Sequence, residues 1–132
     1  MRYRASWLIG VVPLCLLAVT SCGTSVLCSD ARPVPVIASL MPSKVSFSQV
    51  QQTFVLTVNG SSFVSSSVIL VNGVALKTTV VSSTSLKGTV SDTEIATAGA
   101  ANVAVHTPSN LSGDVGCNSG GNSAALTLTV TN

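Results

Sequence analysis

The feature that most restricts this chain is a succession of short apolar runs, dominated by Val and Thr, that end at Gly, Asn, Ser or Pro. The clearest runs from Thr53 to Asn59, with Phe54, Leu56 and Val58 on one side of a period-two pattern and Val55, Thr57 and Asn59 on the other. Such alternation fits a strand with one buried face and gives a helix no coherent apolar stripe. The spacing predicts further strands over Val36 to Leu40, Ser67 to Val71, Val74 to Leu76, Lys77 to Ser82, Ser85 to Val90, Ala101 to Thr107 and Ala124 to Thr131. Asn72-Gly73 lies between two of them and is a strong hairpin signal, because both turn positions need positive φ. Val103 and Val105 are expected to point inward, as are Leu126, Leu128 and Val130. About seven short strands at this spacing predict an all-β, immunoglobulin-like β-sandwich.

One short helical turn is expected. Ser91-Asp92-Thr93-Glu94 has the form of a capping box, in which the Ser hydroxyl and the Glu carboxylate satisfy unpaired backbone donors. Ile95 to Ala98 would continue the turn and Gly99 would stop it. The segment from Asn110 to Ser123, with Gly113, Gly116, Gly120 and Gly121, reads as a long loop between the last two strands. Asn110, Leu111, Ser112 and Asp114 in that loop are the candidate interaction residues, since binding surfaces concentrate on loops carried by a rigid scaffold.

The amino terminus is not part of this pattern. Arg2 and Arg4 precede a mostly apolar stretch from Trp7 to Val19, interrupted by Pro13 and followed by small residues, which is the layout of a secretory signal peptide. A membrane-crossing helix needs about 20 apolar residues, and this stretch is shorter. Val19-Thr20-Ser21-Cys22 resembles the lipobox of bacterial lipoproteins. The resemblance implies that residues 1–21 are removed and that the Cys22 thiol carries a diacylglyceryl group, with a further fatty acyl chain such as palmitate on the new amino group. Two or three chains make a lasting anchor, at about 0.8 kcal/mol per buried methylene. Gly23 occupies the position where an Asp would retain an enteric lipoprotein in the inner membrane, so the outer membrane is favoured. The alternative is an ordinary signal peptide cut near Ser21, with Cys22 incidental. Residues 22–33 lack periodicity and read as a tether; residues 34–132 read as the domain.

Of the four cysteines, Cys15 leaves with the signal and Cys22 is assigned to lipid. Cys28 and Cys117 remain, and an even pair in an exported chain reads as a disulfide. The alternative is two unrelated thiols.

Charge and aromatic content narrow the functions. Beyond Cys22 four basic residues, Arg32, Lys44, Lys77 and Lys87, balance Asp30, Asp92, Glu94 and Asp114, so no nucleic-acid footprint is expected. Tyr3 and Trp7 precede Cys22, leaving Phe47, Phe54 and Phe63 as the domain's aromatics; without a Trp or Tyr stacking platform a glycan partner is not expected. His106, the single histidine, is read as an outward strand residue and not as a catalytic base. No nucleophile elbow or phosphate-binding loop occurs in the sequence. Asp114 stands alone in its loop, too few ligands for calcium. No enzyme activity, metal or cofactor is expected.

The order of elements resembles the IPT/TIG family of immunoglobulin-like domains. The resemblance rests on Pro35 to Pro42, Phe54-Val55-Leu56-Thr57-Val58-Asn59-Gly60-Ser61-Ser62-Phe63, Val71-Asn72-Gly73 and Val81-Ser82-Ser83-Thr84-Ser85-Leu86, and continues through Ser91 to Gly99, Val103 to Pro108 and Ala124 to Val130. It implies that Phe63 plugs one end of the sandwich and that Leu86 is buried as the chain re-enters the sheet. Val71 stands where bacterial relatives often carry an aromatic, and Cys117 is not a family feature. The family implies spacers and interaction modules of surface proteins, not a reaction. The expectation is a lipid-anchored envelope protein that contacts the membrane through its lipid and another envelope protein through its domain. The alternative is an accessory module binding polysaccharide or peptide.

Overall fold

The computed structural model describes residues 32–109 and 119–132. Among the described residues ten strands form two facing sheets: β1 (Val36–Met41), β2 (Lys44–Ser46), β3 (Phe54–Ser61), β4 (Val68–Val71), β5 (Val74–Ala75), β6 (Thr78–Ser82), β7 (Ser85–Val90), β8 (Gly99–Thr107), β9 (Gly121–Asn122) and β10 (Leu126–Thr131). One sheet has the order β1-β3-β7-β6; the other has the order β2-β10-β8-β4-β5, with β9 paired to β8. The pairing is antiparallel except between β10 and β2. The molecule is an all-β sandwich, as the alternation predicts.

The core lies where the inward faces meet. Leu56, Val58, Leu86 and Val90 from the four-stranded sheet pack against Ile69, Val71, Val103, Val105, Leu128 and Val130, all buried. Each such side chain contributes roughly 1.5–3 kcal/mol on leaving water. Gly88 sits inward between Leu86 and Val90, and the space a side chain would take is filled by Ile69 and Leu76. The Asn72-Gly73 turn joins β4 to β5 with φ of 50° and 83°, the left-handed geometry that the dipeptide predicts.

The helix differs from expectation. The Ser91–Glu94 capping contacts form: the Ser91 N–H donates to Glu94 Oε2 at 2.8 Å and its hydroxyl donates to the same oxygen at 2.9 Å. One turn forms, with the Glu94 and Ile95 N–H groups both donating to the Ser91 carbonyl at 3.2 Å. It does not continue over Ile95 to Ala98, because the Glu94 carbonyl accepts from the Asn72 side-chain amide at 3.1 Å and buried Ile95 is drawn into the core. The helix is instead α1 (Phe47–Gln51), started by a capping box between Ser46 and Gln49 and held by buried Val50. The 110–123 loop is also shorter than expected, since Gly121 and Asn122 pair with Thr107 and His106.

The two ends of the sandwich are distinct. At one end, where the chain enters, lie Arg32, the turn at Ser83 and Thr84, and Pro108. There the Gly60 N–H donates to the Thr84 carbonyl, and the Phe63 N–H to that of Ser83. At the other end lie Asn72, Glu94, α1 and the end of β10.

Candidate functional site

Arg32 and the residues around it form a fastening at the entry end. The Arg32 N–H donates to Ser119 Oγ at 2.9 Å, its guanidinium donates to the Pro108 carbonyl at 2.9 Å, and its own carbonyl accepts from the Gly120 N–H at 2.7 Å. A residue assigned to the tether by composition is therefore bonded to both sides of the long loop. Beneath it, the Ser67 and Thr107 hydroxyls meet at 2.9 Å in a buried pair, and Ser67 Oγ also accepts from the Val64 N–H. Buried hydroxyls need such partners, which locks the Val64–Ser67 turn to the end of β8. Phe63 is buried at this end, with its ring over Gly60.

The residues singled out at this end divide into two groups. Cys22, Cys28 and Cys117 lie outside the described residues, as do Asn110, Leu111, Ser112 and Asp114. The loop that holds Asn110 and Cys117 leaves and rejoins the domain beside Arg32. His106 is on β8, where its Nδ1 lies 2.6 Å from Asn122 Oδ1. That bond holds the ring to β9. Among the described residues no group of three or more His, Cys, Asp or Glu side chains is gathered, and no helix is long and apolar enough to cross a membrane.

The outward face of the four-stranded sheet carries a second feature. Lys77, Thr79, Lys87 and Thr89, with Val55 and Gly88, line an open depression of about 370 Å³. The register sets Thr79 beside Lys87, with Thr57 on the far side of Lys87, and Val55 beside Thr89. Neither lysine is bonded to a carboxylate among the described residues, and Glu94 is committed to Ser91. The depression thus collects two exposed ammonium groups among hydroxyls and one exposed valine.

Sequence reasoning missed this convergence. A two-residue turn at Ser83-Thr84 pairs Ser82 with Ser85, and uninterrupted pairing would then set Val80 against Lys87. A bulge between Val80 and Ser82 shifts the register, so that Val80 faces Leu86 and Thr79 faces Lys87. The signal was the pair Val80-Val81 opposite a single inward Leu86.

No family model matches this chain, and no curated protein matches it.

Proposed function

We propose that this chain is a bacterial envelope lipoprotein anchored through Cys22, with the outer membrane favoured. It presents one immunoglobulin-like module of the IPT/TIG type that acts by position and protein contact, without catalysis. The observation that carries this reading is the fastening at Arg32: ten residues after Cys22 the chain is already bonded to one end of a rigid sandwich. A domain attached that way holds the Arg32 end toward its anchor and displays the Asn72 and Glu94 end away from it. The chemistry-bearing side chains serve structure: His106 holds Asn122, and Glu94 caps the Ser91 turn.

The Cys28–Cys117 bridge belongs to the same reading. Cys28 precedes Arg32 by four residues and Cys117 precedes Gly120 by three, and the Gly120–Arg32 bond joins the two strands of chain. At no more than about 3.6 Å per residue, both cysteines remain within reach of one another. Mass spectrometry of the mature chain tests both claims. The expected products are an amino-terminal Cys22 carrying diacylglyceryl and acyl groups, and a non-reduced peptide pair joining Cys28 to Cys117. An exported chain with an unmodified Cys22 that stays in the aqueous phase of a detergent partition would overturn the anchor.

The depression at Lys77 and Lys87 favours one branch of the alternative, a surface module that binds a peptide rather than a polysaccharide. Its lining offers charge and hydroxyls but no aromatic ring.

A further inference from the structure

We propose that β6 and the adjoining Lys77–Lys87 depression receive an extended peptide segment of another protein, one that carries carboxylate side chains at alternate positions and adds to the four-stranded sheet as a fifth strand. This deepens the protein-contact reading by giving the contact a place and a chemistry.

The argument begins with the sheet edges. An edge strand presents unpaired N–H and C=O groups, and proteins usually blunt it with proline, charge, bulges or brevity. β1 is flanked by Pro35 and Pro42 and is bulged between Ile37 and Ser39. β2 has three residues and β5 has two. β6 is different. It reads Thr78-Thr79-Val80-Val81-Ser82, without proline or charge; it is bulged as β1 is, but it has no flanking proline, and the bulge leaves Val81 55% exposed at the edge. Thr78 is tied down: its Oγ1 accepts from the Ile69 N–H at 2.9 Å and donates to the Leu76 carbonyl at 3.1 Å. The open edge is therefore the stretch from Thr79 to Ser82, in which Thr79 and Ser82 are paired back to Lys87 and Ser85 and Val80 turns its backbone groups outward.

Side-chain chemistry then selects the occupant. A strand added beside β6 runs about 4.8 Å from it and about twice that from β7. Thr79, which lies between Lys87 and the edge, is short, so the Lys87 stem can pass over it toward the added strand. Lys77 stands at the start of the same edge. Carboxylates on alternate residues of the incoming strand would face both ammonium groups. A second copy of this chain fits worse, because pairing β6 with itself adds another Lys77 and Lys87 to the same face and no acid.

The test uses the full mature chain in non-ionic detergent and two short fluorescent peptides, one alternating valine with glutamate and the other valine with lysine. Fluorescence anisotropy is expected to show the glutamate peptide binding about tenfold more tightly, since two exposed ion pairs contribute a few-fold each. Amide exchange should slow over residues 78–82. The double variant Lys77→Glu/Lys87→Glu, which changes only exposed side chains, should reverse the preference, and N-methylation of the alternate peptide amides that face β6 should abolish binding of both peptides. Equal binding of the two peptides, protection elsewhere, silence at millimolar peptide, or a concentration-dependent dimer protected at β6 would each overturn the proposal. None of these results bears on the lipid at Cys22, which the amino-terminal mass measures separately.

Discussion

The Gly120 N–H donates a 2.7 Å hydrogen bond to the Arg32 carbonyl, tying the point where the chain enters the sandwich to the return of its long loop. Gly120 makes this bond at φ 70°, and a side chain there would overlap the Thr107 carbonyl oxygen. Backbone conformation and space both require glycine.

Gly120→Ala is therefore expected to destabilise the domain by about 2–3 kcal/mol, combining left-handed strain with displacement of the Thr107 carbonyl. Urea unfolding measures this directly. A change under about 0.5 kcal/mol, the range of ordinary surface substitutions, would mean that the Arg32 fastening contributes little to the fold.

Gly60 and Phe63 form a second coupled pair. A methyl group on Gly60 would overlap the Val36 carbonyl and press the Phe63 ring, whose nearest carbon lies 2.7 Å from the new atom. Gly60→Ala should cost about 1–3 kcal/mol or more as overpacking, and Phe63→Ala about 3–5 kcal/mol as a cavity. Because each side chain occupies the other's space, the double variant should cost less than the two single changes together. Strict additivity in thermal unfolding would deny the contact.

Asn72 tests the far end. It sits at φ 50°, its side-chain oxygen accepts from the Asn102 N–H at 3.0 Å, and its amide donates to the Glu94 carbonyl at 3.1 Å. Asn72→Gly keeps the turn and loses those bonds, for an expected cost of about 1 kcal/mol. Asn72→Ala loses the bonds and adds left-handed strain, so it should cost about 1 kcal/mol more. The order of the two variants in a denaturant series is the diagnostic result.

Much of the sandwich was legible because its core is local and periodic. Leu56 and Val58, Val103 and Val105, and Leu128 and Val130 are buried on the faces that period-two alternation assigns them. What was not legible depends on distant partners. Ser46-Phe47-Ser48-Gln49 has the same capping pattern as Ser91-Asp92-Thr93-Glu94, and only tertiary contacts decide between them: Val50 is buried behind one, while Asn72 takes the Glu94 carbonyl of the other. Gly121 and Asn122 form a strand because β8 offers them an edge, although nothing in Gly-Asn itself favours one. Arg32 looked like tether because its three partners lie 76 to 88 positions away in the chain. The bulge in β6 was hidden because Val80 and Val81 are chemically identical.

That identity makes the last prediction sharp. Two adjacent valines on one strand have opposite fates: Val80 packs against the core opposite Leu86, while Val81 stands 55% exposed on the bulge. Replacing valine by threonine keeps shape and β-propensity and adds only a hydroxyl. On Val81 that hydroxyl reaches water, so Val81→Thr should leave stability within about 0.5 kcal/mol. On half-buried Val80 it is partly withdrawn from water against the core, and Val80→Thr should cost about 1 kcal/mol. Equal effects at the two positions in parallel urea titrations would mean that the bulge does not persist in solution. The Thr79–Lys87 pairing, and with it the convergence of Lys77 and Lys87 beside the open edge, would then be lost, because an unbulged hairpin returns Lys87 to the position opposite Val80.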